Sequence, residues 1–266
     1  MLAPDSLLPM ACLAVGAWLV SPIKNDVSIA DSLWPLFILL ASVTYATAAP
    51  RTGPHASAVV SSIAVWALRL AAHITWRSWG EPEDRRFTAM RARNEPRFLW
   101  KSLVLVFGLQ AALAWVVSLS ALAAVIDPQP WNWIDTLGVC VFAFGAAFEA
   151  GSDLQLVRFK ANPAHRGQVM DRGLWRTFRH PAYFGEFCVW WGIFLIALST
   201  QAWWAVASPV LMAVLLLKVS DVARLERDIA ERRPGFREYI ARTNAFFSGR
   251  ARQTQHRRLR PGLPLN

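Results

Sequence analysis

Charge is scarce in this chain of 266 residues: only 17% are Asp, Glu, Lys or Arg. Soluble domains carry about 25%, so the deficit argues against a water-soluble globule. Cysteine is scarcer still. Cys12, Cys140 and Cys188 stand far apart, each in an apolar stretch. They form no CxxC pair and no disulfide framework. No GxGxxG or GxxxxGK(S/T) loop occurs, which removes a Rossmann site and a P-loop, and HExxH is missing too. A Ser/His/Asp hydrolase lacks its nucleophile elbow. No repeat, low-complexity tract or Gly/Ser linker divides the chain. It reads as one membrane domain over 1–249, its spans falling within 1–126 and 134–249, then a basic tail over 250–266 expected to be disordered.

What remains is apolar. Hydrophobic residues make up 55% of the chain, and 14 are tryptophan, a side chain suited to the water–lipid boundary. Seven stretches, roughly 6–22, 27–48, 57–76, 102–125, 134–150, 184–199 and 202–219, are near the ~20 residues needed to cross a hydrocarbon core. The first has no basic region ahead of it, so it reads as a retained span and not a cleaved leader. The expected fold class is all-α, a polytopic membrane protein of about seven transmembrane helices.

The net charge of +10 would by itself point to nucleic acid, but its distribution points elsewhere. With seven spans, 26 of the 28 basic residues fall on one side of the membrane: Lys24, the 77–101 and 158–179 connections, and everything from Lys218 onward. Arg51 alone falls on the other side, and Arg69 lies within a span. The positive-inside rule makes the basic side cytoplasmic and the N-terminus external. Those charges then face anionic headgroups, with no call for a nucleic-acid partner.

Ionisable residues within spans are costly and therefore candidate site residues: Asp31, Arg69, His73, Asp135, Glu149 and Glu186. Asp135 is expected at an outer helix end as a solvated carboxylate needing no function. Arg69 and His73, four apart, share a face with Trp66 and Trp76. Arg69 either pairs with Asp31 or Glu149 to hold helices together, or lines a polar cavity open to the cytoplasm. Glu149 and Asp153 are also four apart, with Lys160 two turns on. Pro181 suits a first helical turn and disfavours helix at His180, so Arg179 and His180 are presented at a helix start that favours an anion. Tyr183 and Glu186 follow on one face. Asp221 to Tyr239 reads as an amphipathic helix and turn, in which Arg224 and Glu226 could close a polar cavity with Arg179 and Glu186.

The run Gly173-Leu-Trp-Arg-Thr-Phe-Arg-His-Pro-Ala-Tyr-Phe-Gly-Glu186, with Trp190-Trp191-Gly192, resembles the C-terminal domain of the steroid 5α-reductase superfamily, and within it the bacterial branch called domain of unknown function (DUF) 1295. Asp31 with Trp34, the run Trp66 to His73, Asp153, Gln155 and Phe159, and the ending Glu226 to Tyr239 are similar to that branch. Steroid reductases of the superfamily are seven-span enzymes that bind NADPH in a cytosol-facing cavity and reduce an activated C=C bond. The resemblance implies cofactor contacts from Glu149, Asp153, Lys160, Arg179, His180, Glu186, Arg224 and Glu226. It implies a substrate cavity at Trp34, Arg69 and His73, and catalytic parts for Asp31, Tyr183 and Glu186. Ala182 stands where the related pattern has Asn.

The expected activity is therefore NADPH-dependent reduction of a lipid- or steroid-like enone entering from the bilayer of a bacterial inner membrane. Two alternatives share the features. One is an S-adenosylmethionine-dependent methyltransferase of a lipid or prenylated substrate, which uses a similar Arg-His-Pro element. The other is a non-enzymatic lipid-binding protein.

Overall fold

The computed structural model describes residues 3–50, 52–219 and 235–244. The described residues are helical throughout, with one isolated bridge, Phe178 to Asn244, in place of any strand. Among the described residues, six helices are long and apolar enough to cross a membrane: α1 (Leu7–Lys24, entered through a 3₁₀ turn at Pro4–Ser6), α2 (Ile29–Ala48), α3 (Pro54–Ser78), α5 (Phe98–Val125), α6 (Trp133–Ala161) and α7 (Pro181–Ser199). The seventh apolar stretch forms a shorter helix, α8 (Trp203–Leu217). Among the described residues there are also two amphiphilic helices, α4 (Arg85–Asn94) and α9 (Gly235–Arg242).

The chain divides into two compact units. One comprises Met1–Ala146 with Phe187–Leu216, the other Ala147–Glu186 with Leu217–Asn266, so the division falls within α6 and α7.

In the first unit, α2 and α3 pack along most of their lengths. Phe37, Ile38, Ala41 and Tyr45 of α2 and Val59, Ile63, Trp66 and Ala67 of α3 are buried, which is one helical face on each. Outward-facing positions carry Leu8, Leu19, Ile23, Val65, Leu68 and Val104, all exposed. On a soluble protein such a surface would be a liability; in hydrocarbon it is the solvent-compatible face. Buried hydroxyls are satisfied within their own helix or by a neighbouring one, as a dry interior demands. Ser42 donates to the Ile38 carbonyl at 2.8 Å, and Tyr45 Oη shares a proton with Ser118 Oγ at 2.9 Å. Ser120 Oγ donates to the Ala205 carbonyl at 2.9 Å, tying α5 to the start of α8.

Glycine is required where α6 meets α7. A Cβ on Gly192 would lie 2.5 Å from the Phe142 backbone nitrogen, and one on Gly138 would lie 2.8 Å from the Gly192 carbonyl oxygen. Small residues of this kind let membrane helices approach backbone to backbone.

Asp135 corrects the sequence-based expectation. It has no exposed surface. Its Oδ2 accepts from the Asn132 backbone N–H at 2.7 Å and stands 3.1 Å from His55 Nε2, while its Oδ1 accepts from the Ser199 hydroxyl. The carboxylate is a buried tie between α3, α6 and α7 and not a solvated helix end. Its partners lie 80 and 64 residues away along the chain, which no local pattern reveals.

Candidate functional site

The second unit carries the Arg-His-Pro element. The loop before α7 is fixed at several points. Gln155 Oε1, on α6, accepts from the Leu174 backbone N–H at 3.0 Å, and Trp175 Nε1 donates to the Ser152 carbonyl at 3.1 Å. Gly173 makes room for this: its φ is +58°, and a Cβ there would lie 2.5 Å from Gln155 Oε1. From α9, the buried Tyr239 hydroxyl donates to the carbonyls of Trp175, at 2.5 Å, and Phe178, at 3.2 Å. Phe178 itself packs in a three-ring cluster with Phe148 and Phe184.

This frame sets the next two residues. The Arg179 backbone N–H donates to the Asn244 carbonyl at 2.9 Å. As expected, α7 begins at Pro181, and the His180 carbonyl accepts from the N–H groups of Tyr183 and Phe184 in its first turn. The His180 and Tyr183 rings stack, centroids 5.4 Å apart and planes 17° from parallel. Glu186 follows three residues on, half-buried. On α6, Glu149 is buried, Asp153 half-buried and Lys160 exposed. Ser152 Oγ donates to the Glu149 carbonyl at 2.8 Å. Arg224 and Glu226 lie outside the described residues.

Asp31, Trp34, Arg69 and His73 belong to the first unit. Asp31 sits in the first turn of α2, where Arg86 Nη2 donates to its Oδ2 at 2.7 Å; Gln110 Nε2 is 3.5 Å from Oδ1, at the long limit for a hydrogen bond. Arg86 also bonds Asp84, the residue that caps α4. Burial pushes the Asp84 carboxyl up, but hydrogen bonds from the Arg86 side chain and backbone, and its positive charge, outweigh this and hold it below the usual range. For Arg86, the Asp31 and Asp84 carboxylates outweigh the opposing effect of burial and raise the guanidinium above its ordinary value. The same loop is fastened to the α1–α2 turn: the Val27 N–H donates to Glu83 at 3.0 Å, and the Asp84 N–H to Ser28 Oγ at 2.8 Å. Arg91 grips Glu83 through two bonds of 3.1 and 2.7 Å.

Arg69, His73 and Trp34 are each half-buried, and the His73 ring lies 6.4 Å from that of Trp76. Along the same helices runs an apolar hollow of about 510 Å³, lined by Leu36, Leu68, Ala71, Ala72, Thr75, Trp76 and Trp79. Lys24 Nζ stands 5.6 Å from the centre of the Trp79 ring.

Residues 17–243 match the family model described as protein of unknown function (DUF1295). The chain belongs to the DUF1295 family. No curated protein and no solved structure matches it.

Several residues that shape this DUF1295 chain were not singled out as site residues from sequence. Arg86, the partner of Asp31, counted only as one charge in a basic loop. Tyr239 and Gln155 stood in the family-like pattern without a role, and both prove to hold the loop that presents Arg179 and His180. Gly173 carried a signal that could have been read: an isolated glycine between Arg172 and Leu174, outside any helical run, marks a backbone position closed to other residues.

Proposed function

We propose that this chain is an integral-membrane, NADPH-dependent reductase acting on a CH–CH group, in the manner of a 3-oxo-5α-steroid 4-dehydrogenase, with an apolar lipid- or steroid-like enone as substrate. The observation that carries the reading is the turn at Arg179 and His180, braced by Asn244 and Tyr239, with His180 stacked on Tyr183. A cation and two ring donors held on a fixed backbone are what a preorganised site for an anionic cofactor needs.

The donor set suits that group. Arg179 and Lys160 supply positive charge for phosphates, and Arg224 would add to them. Glu149, Asp153, Glu186 and Glu226 supply acceptors for ribose hydroxyls and a carboxamide, with His180 alongside. NADPH, when bound, would supply the hydride. The chain's own task is to meet the negative charge that develops on the enone oxygen and to deliver a proton. Of Asp31 and Tyr183, the two candidate proton donors, the Tyr183 phenol takes this part, with Glu186 one turn along to orient it. Asp31 Oδ2 already accepts from Arg86, which fits a positioning role. Trp34, Arg69 and His73 are assigned to the substrate cavity.

The basic residues favour a cytoplasmic C-terminus and an external N-terminus in a bacterial inner membrane, with all seven apolar helices crossing and α8 the shortest. Apolar substrate would enter from lipid, consistent with the hollow on α2 and α3.

Thermal unfolding of the detergent-purified chain tests the cofactor assignment. A ligand at 100 times its Kd stabilises by about 2.7 kcal/mol. NADPH is expected to raise the midpoint, and Arg179→Ala to abolish the rise. A rise with S-adenosylmethionine alone would transfer the assignment to methyl transfer. Silence from both would favour a lipid-binding protein.

A further inference from the structure

A second basic site lies in the same unit as the Arg-His-Pro turn. Asp171, Arg172, Gly173, Arg176, Arg242 and Thr243 line a cavity of about 450 Å³. Three of the six are arginines and one is an aspartate, so the lining carries a net charge of +2. Asp171 is committed: its Oδ2 accepts from Arg242 Nη2 at 2.5 Å. That pair fixes the Arg242 guanidinium at the C-terminal end of α9. Arg172 and Arg176 bond no side chain among the described residues, and both are exposed to solvent.

The walls are rigid where it matters. The loop bearing Arg172 and Arg176 is pinned to α6 through Gln155 and Trp175, and to α9 through Tyr239. The bridge between Phe178 and Asn244 holds the segment after Arg242 against it. Two guanidiniums that bond no side chain among the described residues therefore face one cavity from a loop tied down at several points, and a third stands beside them with its orientation set by Asp171. Planar guanidinium forks match phosphate oxygens in pairs. The lone carboxylate repels a second anion, which favours one compact, doubly charged group over an extended acidic polymer.

We propose that this cavity is a binding site for a phosphate monoester, held by Arg172 and Arg176 with Arg242 as the third, Asp171-oriented partner. Two sources carry that chemistry: the phosphate of a soluble nucleotide, or the headgroup of a phosphatidate-type lipid at the membrane surface. The site does not depend on the reductase reading, since a lipid phosphate would occupy it whatever reaction the protein performs.

The test uses the full chain in detergent and in nanodiscs. Inorganic phosphate and adenosine 2′,5′-bisphosphate probe the soluble source; phosphatidylcholine nanodiscs with and without phosphatidate probe the lipid source. Thermal midpoint against ligand concentration is the readout. At least one probe is expected to bind, with Arg172→Ala/Arg176→Ala weakening it about tenfold or more. Asp171→Asn, which removes the negative charge from the lining while its amide oxygen can still accept from Arg242, is expected to tighten it several-fold, and a gain of affinity cannot come from misfolding. A response to soluble probes alone identifies a nucleotide phosphate, and one to phosphatidate alone identifies a lipid. Binding by neither, or binding that the double variant leaves unchanged, would overturn the proposal. Failure of NADPH to bind while phosphatidate still does would count against the reductase and not against this site.

Discussion

His55 Nε2 lies 3.1 Å from Asp135 Oδ2, and neither side chain has any exposed surface. The N–H is not aligned for a hydrogen bond, so the contact is one of ion-pair distance, with the Trp131 ring stacked over the imidazole at 5.7 Å. Asp135, on α6, is the shared partner of groups on α3, on α7 and in the turn just before α6. Truncating it leaves the Asn132 N–H without its acceptor, at about 1 to 3 kcal/mol for the orphaned group, while the Ser199 hydroxyl keeps the Ile196 carbonyl at 2.7 Å but loses its tie to α6.

Asp135→Ala should therefore lower the unfolding midpoint in detergent markedly, and Asp135→Asn, which keeps an acceptor oxygen, should lower it less. Equal, negligible shifts for both variants would mean that the buried cluster holds nothing together.

Gly192 presents a different kind of constraint. The atoms a Cβ would strike belong to the backbone of Phe142 and Gly138, so a side-chain rearrangement cannot relieve the clash. Gly192→Ala should cost about 1 to 3 kcal/mol, the range for overpacking, and Gly192→Val more. Circular dichroism melts in the same detergent would show it; a wild-type midpoint for Gly192→Val would refute the close approach.

At Gly173 the strain is conformational. Its φ of +58° costs another residue about 1 to 2 kcal/mol, and an added Cβ displaces the Gln155 amide from the Leu174 N–H. Gly173→Ala is expected to loosen the loop, seen as faster hydrogen exchange at residues 172–178, whereas Gly16→Ala, within α1 and with nothing within 4 Å of the added Cβ, should leave that loop's exchange unchanged. Faster exchange there in both variants, or in neither, would contradict the assignment.

The Asp84–Arg86 contact predicts an acid-sensitive contribution. Because the folded carboxyl titrates below its unfolded value of about 3.9, its stabilisation is fully present above that value and fades as pH falls through the folded one. The melting difference between the natural chain and Asp84→Asn should be constant from pH 7 to 5 and shrink below pH 4. Both side chains are substantially exposed, so the effect is small. A difference that grows on acidification would reverse the sign and refute the contact's role.

Much of the fold could be read from the sequence because a helix that crosses lipid declares itself over twenty consecutive residues. The spans at 27–48 and 57–76 agree with Ile29–Ala48 and Pro54–Ser78 to within a few residues. Pro181 likewise marks the start of α7 by purely local chemistry. What depends on distant partners was not legible. Asp135 carries no sign of His55, and Asp31 none of Arg86, which is 55 residues away. The 202–219 stretch counted as a full span by hydropathy, yet its apolar helix is Trp203–Leu217. The segment holding Arg224 and Glu226 lies outside the described residues, and their assigned contacts rest on the resemblance alone.

The most direct test of the reductase assignment follows the transferred atoms. Membranes containing the protein are incubated with NADPH deuterated at the transferable C4 position, or with S-adenosylmethionine carrying a deuterated methyl group, and the lipid extract is analysed by mass spectrometry. The account predicts a product carrying one deuterium from NADPH, lost in Tyr183→Phe and Arg179→Ala membranes. A product carrying three deuteriums from the methyl donor, with none from NADPH, would contradict it.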